Sequence, residues 1–89
     1  MEATAATADE LRTTWGRRLR ALRRRNDESQ VDIAGKSGLD QSAVSRAERG
    51  RADLDTYVRL AAANGTTLEE ITNSQLATEL DEEAAEADE

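Results

Sequence analysis

The sequence predicts a small all-α domain, and three observations lead to this prediction. Apolar residues recur every three or four positions, as in Leu11, Trp15, Leu19 and Leu22, which is the spacing of one helix face. Residues that favour helix N-termini precede the later apolar segments, and glycines follow several of them. The 89 residues include no Pro and 37% hydrophobic residues, so we expect one domain with a small core.

The first two helices are predicted to lie before the glycine at position 38. The apolar face described above belongs to a helix that begins near residue 9 and ends near residue 25. Ser29 and Asp32 have the spacing of a capping box, which predicts a second helix with Ala34 on its inner side. Gly38 suits the left-handed position that follows a helix. The second helix is therefore short and ends in a tight turn.

A third helix is predicted over residues 41–49. Asp40 can cap this helix, Val44 lies on its inner side and Gly50 ends it. The opposite face has no apolar side chain and combines hydrogen-bond donors and acceptors with positive charge. The residues on this face are Gln41, Ser42, Ser45, Arg46 and Arg49.

Two more helices are predicted after the third. Asp53 can cap the fourth helix, and Thr67 with Glu70 has the spacing of a capping box for the fifth. A compact five-helix domain is therefore expected over residues 9–72, after a flexible N-terminus of residues 1–8.

Charge is distributed unevenly along the chain. Residues 16–25 contain six Arg and no acidic residue, whereas residues 73–89 contain seven acidic residues and no basic one. The charge of the acidic segment is therefore equal to the net charge of the whole chain, −7. Because this segment has little apolar content beyond Ala, it is predicted to form a flexible acidic C-terminal tail, helical at most to about residue 80.

The composition excludes several classes of function. The chain has neither Cys nor His, so we expect no disulfide, no metal site and no cofactor. No spacing of Ser, carboxylates or the single Lys36 supports catalysis, and the protein is not expected to be an enzyme. No apolar segment approaches the roughly 20 residues of a membrane-spanning helix, and the N-terminus lacks the pattern of a signal peptide. We therefore expect a cytoplasmic protein.

The second and third helices have the features of a DNA-reading unit. Ala34 is small enough for these two helices to cross closely, and Gly38 lies in the turn between them. The polar outer face of the third helix suits base edges in the major groove, where Gln can pair with adenine and Arg with guanine. Together these features predict a helix-turn-helix.

Four segments carry a resemblance to a known family: WGRRLRALR, SQVDIAGKSGL, AVSRAERGR and LDTYVRLAAANGTTLEEI. They extend from Trp15 to Ile71 and resemble the helix-turn-helix domain of phage repressors and Cro proteins, which is also called the XRE family. The resemblance implies a lambda-repressor-like fold in which the third helix enters the major groove of double-stranded DNA. It also implies a homodimer that reads half-sites about 34 Å apart.

The resemblance assigns roles to individual residues. Arg23 and Glu48 match a family pair that joins the first helix to the end of the third. Ala47, Ser37 and Asn64 are smaller or more polar than the usual family residues, so the core is lean and either a dimer or folding assisted by a partner is favoured. The implied base-reading residues are Gln41, Ser42, Ser45 and Arg46. The implied DNA-backbone or positioning residues are Gln30, Arg23, Arg49 and Arg51, and the implied structural residues are Ala34, Gly38, Val44 and Glu48.

Two functions from different classes follow from these observations. The first is a sequence-specific transcriptional regulator, most simply a homodimeric repressor that occupies a palindromic operator and is nucleoid-associated when bound to DNA. The alternative is an antitoxin-like or bridging module whose acidic tail binds a protein partner. The tail has two other interpretations, a segment that aids solubility, or an internal competitor in which residues 81–89 cover the Arg-rich segment.

Overall fold

The computed structural model describes residues 7–87 as an assembly of α-helices. No strand occurs in this part of the chain, so the predicted all-α class is confirmed. There are six helices within these residues, one more than the sequence predicts. They are α1 (Ala8–Arg25), α2 (Gln30–Ser37), α3 (Gln41–Glu48), α4 (Leu54–Ala63), α5 (Leu68–Thr72) and α6 (Gln75–Ala87).

Side-chain caps fix the starts of the helices largely where the sequence predicts them. The Ser29 hydroxyl accepts from the Asp32 amide at 3.0 Å, and the Asp32 carboxylate accepts from the Ser29 amide at 2.9 Å, which is the predicted capping box. These hydrogen bonds hold the pKa of Asp32 below its ordinary value. Thr67 caps α5, but Glu70 does not return the bond and instead accepts from the Thr66 hydroxyl. Asp40 and Asp53 cap α3 and α4.

The N-terminal boundary differs slightly from the prediction. Thr7 and Glu10 form a capping box, with bonds of 2.8 and 3.1 Å, so α1 begins at Ala8. The predicted flexible N-terminus of residues 1–8 is therefore wrong for its last two positions. Its remaining positions, residues 1–6, lie outside the described residues.

The prediction of a flexible acidic tail is wrong through residue 87. Ala77, Leu80 and Ala84 are buried, and their spacing of three and four residues forms an apolar stripe along α6. Because α6 packs mainly against α1 and also contacts α5, the described structure shows no boundary between residues 9–72 and α6. Residues 88 and 89 lie outside the described residues. The prediction failed because it gave Ala little weight, although small side chains let two helices approach closely.

A glycine controls the contact between α1 and α3. A Cβ at Gly16 would lie 2.4 Å from the Ala47 carbonyl oxygen and 2.8 Å from that of Glu48, which is too close for any L side chain. The hydroxyl of fully buried Tyr57 donates to the same Ala47 oxygen at 2.7 Å. Burial raises the pKa of Tyr57 to about 12. The small Ala47 therefore lies where the α1 and α3 backbones meet.

Trp15 belongs to the core rather than to a ligand site. Its ring packs against the buried cluster and lies 5.4 Å, between centroids, from the ring of Tyr57. The indole N–H donates to the Thr72 hydroxyl at 2.8 Å, so the polar edge of the ring has a partner on α5. None of the helices in residues 7–87 combines the length and the apolar character that a bilayer-spanning segment needs.

Candidate nucleic-acid interface

The helix-turn-helix is formed by α2, the turn after it and α3. Ala34 and Val44 are buried, and the Ala34 carbonyl accepts from the amides of Gly38 and Leu39, both at 3.1 Å. Gly38 has a φ of 75°, in the left-handed region where glycine is favoured. The small residue, the tight turn and the buried valine thus hold α3 against α2.

The outward face of α3 is polar and accessible. Gln41, Ser42 and Arg46 are exposed, Ser45 is half-buried, and Arg49 is exposed at the C-cap of the helix. These five side chains line one shallow depression of about 240 Å³. The depression offers amide, hydroxyl and guanidinium groups side by side, which are the groups that pair with base edges and phosphates.

A chain of hydrogen bonds runs from this face into the protein. The Gln41 side-chain amide donates to the side-chain carbonyl oxygen of Gln30 at 2.7 Å, and the side-chain amide of Gln30 donates to the Glu48 carboxylate at 3.0 Å. Glu48 also accepts two bonds from the guanidinium of Arg23, at 2.7 and 3.0 Å. The remaining Arg23 nitrogen donates to the Glu28 backbone carbonyl at 2.9 Å. Four side chains from three helices therefore orient one another.

The ion pair at the inner end of this chain is shielded from water. The side chains of Arg23 and Glu48 are only 11% and 6% exposed. Arg23 donates from Nε and from both terminal nitrogens to groups of the protein, so these bonds fix the orientation of its guanidinium. The paired charge of Arg23 holds Glu48, and Glu48 in turn accepts from Gln30.

Two exposed arginines lie at the C-terminal end of α3 and in the turn after it. Arg49 is the C-cap of α3, and the backbone amide of Arg51 donates to the Arg46 carbonyl at 2.9 Å. Between them, Gly50 has a φ of 84°, and a Cβ there would lie 2.9 Å from the Thr13 hydroxyl. The turn after α3 is thus held against α1, with both guanidinium groups at the surface.

Most of the predicted Arg-rich segment has partners in the structure. Arg18 forms two bonds of 2.9 Å with Asp81 and also donates to the Ile71 and Thr72 carbonyls. Arg17 also pairs with Asp81. Arg25 pairs with Glu79 and Glu83 on the same helix, α6. The positive segment therefore serves partly to hold α6. Asp81 and Glu83 contact this segment, as the internal-competitor interpretation of the acidic residues requires, whereas competition with DNA stays a prediction.

Two contributors to the interface were missed. Gly16 sets the approach of α1 to α3, and its only sequence signal is a glycine inside an otherwise good helix pattern. Arg20 lines a second depression, of about 220 Å³, together with Gln30, Ser45 and Arg49. The i,i+3 spacing of Arg20 and Arg23 puts both on one side of α1, and this spacing was available in the sequence.

A comparison with protein families decides the class of this site. The sequence model of the helix-turn-helix domain family matches residues 15–73, which is more than half of the chain. The chain belongs to the helix-turn-helix domain family. In this helix-turn-helix protein the match includes α1 from Trp15 through α5 and ends before α6. Family membership and the polar α3 face together support DNA binding. Comparisons with curated proteins and with solved structures find no match.

Proposed function

We propose that this helix-turn-helix protein is a sequence-specific transcriptional regulator of the phage-repressor and Cro type. In this proposal it is a homodimeric repressor that blocks a promoter by occupying a palindromic operator in the cytoplasmic nucleoid. The observation that supports the proposal best is the exposed face of α3, where Gln41, Ser42, Ser45, Arg46 and Arg49 line one depression. An exposed polar surface of this kind gains little from burial and much from hydrogen bonding to base edges.

The proposed reading roles follow from the chemistry of each side chain. Gln41 pairs with an adenine, and its bond to Gln30 limits the rotamers it must give up on binding. Arg46 pairs with a guanine, while Ser42 and Ser45 reach a base or a phosphate. Arg49 and Arg51 contact phosphates, which fixes the register of α3 without reading sequence.

The net charge of −7 opposes binding to DNA, but the charge is not spread over the reading face. Asp81 and Glu83 lie in ion pairs with α1 arginines, so part of the acidic segment is neutralised within the protein. The turn after α3 carries Arg49 and Arg51. Local positive charge at the phosphate positions therefore favours a specific site more than it favours duplex DNA in general.

The proposed homodimer would also give an exposed apolar pair a partner. Leu54 and Val58 lie one turn apart on α4 and are 58% and 48% exposed, although the sequence pattern groups them with the apolar residues of that helix. A two-fold contact through this surface would be self-complementary, as the interface of a homodimer requires.

The alternative function, an antitoxin-like or bridging module, has less support. It requires acidic side chains that are available to a partner, whereas Glu79, Asp81 and Glu83 already pair with arginines of α1. No observation on α6 favours a protein partner over these internal contacts.

The experiment that tests the proposed function is selection from a random-sequence duplex library, followed by binding measurements on the enriched site. We expect enrichment of a two-fold-related sequence. Arg46→Ala should weaken binding to that site by about 1–3 kcal/mol and reduce discrimination against a changed base pair. Arg51→Ala is the matched control, because it also removes one arginine but should weaken binding to all sequences alike. Absence of enrichment with folded protein, or an unchanged specificity ratio in Arg46→Ala, would contradict the proposal.

A further inference from the structure

A cleft between α1 and α6 is separate from the reading face of α3. Its volume is about 340 Å³, within the range of small-molecule sites. Four guanidinium groups surround it, contributed by Arg17, Arg20, Arg24 and Arg25, and its lining also includes alanines of both helices. Bonds to α6 account for Arg17 and Arg25, but they do not account for Arg20 and Arg24.

The four arginines fall into two pairs. Arg17 and Arg25 bond to carboxylates of α6, which fixes their side chains at the margin of the cleft. Arg20 and Arg24 are exposed, and within residues 7–87 neither forms an ion pair or a side-chain hydrogen bond. They are four residues apart on one helix, so their guanidinium groups lie on the same side of α1.

We propose that this cleft binds a phosphate group through Arg20 and Arg24. The planar guanidinium donates two parallel hydrogen bonds to phosphate oxygens, and two neighbouring arginines match the two negative charges of a terminal phosphate. Ala21 and Ala84, which are nearly buried, give the cleft an apolar wall beside these cations. Such a wall fits the uncharged part of a phosphorylated molecule.

The cleft is connected to the reading face through two shared residues. Arg20 also lines the depression that contains Ser45 and Arg49, and Glu48 lines both this depression and the cleft. Glu48 holds Gln30, which in turn holds Gln41. A phosphate in the cleft therefore lies close to the group that orients the reading side chains.

Two sources can supply this phosphate. One is a small phosphorylated molecule, which fits the concave shape and the alanine wall. The other is a phosphate of the DNA backbone next to the α3 site, and this source rests on the proposed function. The acidic side chains of α6 beside the cleft, among them Glu83, disfavour a long polyanion more than a small one.

The test compares two double variants of the full chain. Arg20→Gln with Arg24→Gln removes both cations of the cleft. Arg12→Gln with Arg59→Gln removes the same charge elsewhere, because these arginines pair only within their own helices, with Asp9 and Asp55. Circular dichroism checks that both variants remain folded. Binding of inorganic pyrophosphate is measured by calorimetry, and binding of duplex DNA is measured over a range of salt concentrations.

Each result has a defined meaning. If pyrophosphate binding weakens at least tenfold in the cleft variant alone, with an unchanged salt slope for DNA, the source is a small molecule. The salt slope is the slope of log K for DNA binding against the logarithm of the salt concentration. If instead its magnitude decreases by about 1 to 2 in the cleft variant alone, the source is the DNA backbone. If neither quantity distinguishes the cleft variant from the control, the proposal is overturned. Failure to bind any DNA would contradict the proposed function but would leave the pyrophosphate result decisive here.

Discussion

Two arginine–carboxylate pairs on α1 have the same bonding but different surroundings. Arg23 holds Glu48 with two hydrogen bonds, and Arg18 holds Asp81 with two. In each pair the remaining guanidinium nitrogen donates to backbone carbonyl oxygens. The difference lies in the carboxylates, because the Glu48 side chain is 6% exposed and that of Asp81 is 39% exposed. Solvent therefore screens the second pair and hardly reaches the first.

This difference separates two tasks on one helix. The Arg23–Glu48 pair lies inside the residues matched by the helix-turn-helix family and connects through Gln30 to Gln41 on the outward face of α3. The Arg18–Asp81 pair connects α1 to α6, which lies beyond the match. The same chemistry thus orients polar side chains of the α3 face where it is buried and attaches an additional helix where it is exposed.

The largest effect is expected when the buried pair loses its negative charge. Glu48→Gln should reduce the free energy of unfolding by about 3 kcal/mol, because Arg23 would remain charged in a site with little water. The loss should be nearly the same at low and high salt. Urea denaturation at two salt concentrations measures it, with Glu82→Gln, an exposed position on α6, as the control. If the two variants lose equal stability, the buried Arg23–Glu48 pair does not stabilise the fold more than an exposed carboxylate does.

A second prediction concerns the backbone contact beside that pair. Gly16→Ala should reduce the free energy of unfolding by about 2 kcal/mol, since the new methyl group would meet the Ala47 carbonyl at 2.4 Å. Gly35→Ala is the matched control, because Gly35 is also helical and a Cβ there would meet nothing within 4 Å. The control should gain up to about 1 kcal/mol from better helix propensity. Thermal denaturation of both variants tests whether their changes in stability have opposite signs. A gain in stability in both variants would contradict the close approach of α1 to α3.

The helix starts were predictable because their causes are local. Each of the capping bonds joins a side chain to a backbone amide three residues away in the sequence, so a short window of sequence contains the whole interaction. The capping side chains are Ser29, Asp32, Asp40 and Asp53. Gly38 is equally local, since only its own φ and the preceding turn are involved. Such features do not depend on what packs against the helix.

The errors arose where a contact joins distant positions. The Gly16 contact involves the α3 backbone about thirty residues away, and the partner of Arg18 is 63 residues away. Ala77 and Ala84 form a buried stripe only because α1 offers a matching surface, and composition alone classed this segment as solvated. The resemblance predicts the Arg23–Glu48 pair, but sequence spacing does not determine how deeply this pair is buried.

The smallest effect is expected at the exposed pair. Asp81→Asn should reduce the free energy of unfolding by at most about 1 kcal/mol at low salt, because Arg18 keeps its bonds to the Ile71 and Thr72 carbonyls. Sodium chloride at about 1 M should remove most of this difference. Amide hydrogen exchange should show that backbone amides of α6 lose protection first, while those of α3 keep it.

The pH dependence of the free energy of unfolding tests whether the Arg18–Asp81 pair stabilises the folded state. Hydrogen bonds from Arg18 hold the pKa of Asp81 below its ordinary value of 3.8. The folded state therefore binds the proton less well than the unfolded state, so the stabilisation is complete above pH 3.8 and is lost as the pH falls through the lower folded value.

The cap carboxylates of Glu10, Asp32 and Asp53 also have lowered pKa values, so the pH dependence of wild-type stability alone does not identify the contribution of Asp81. The difference between wild type and Asp81→Asn isolates one carboxylate, and it should shrink toward zero in acid. A difference that grows in acid would mean that the ionised Asp81 does not stabilise α6.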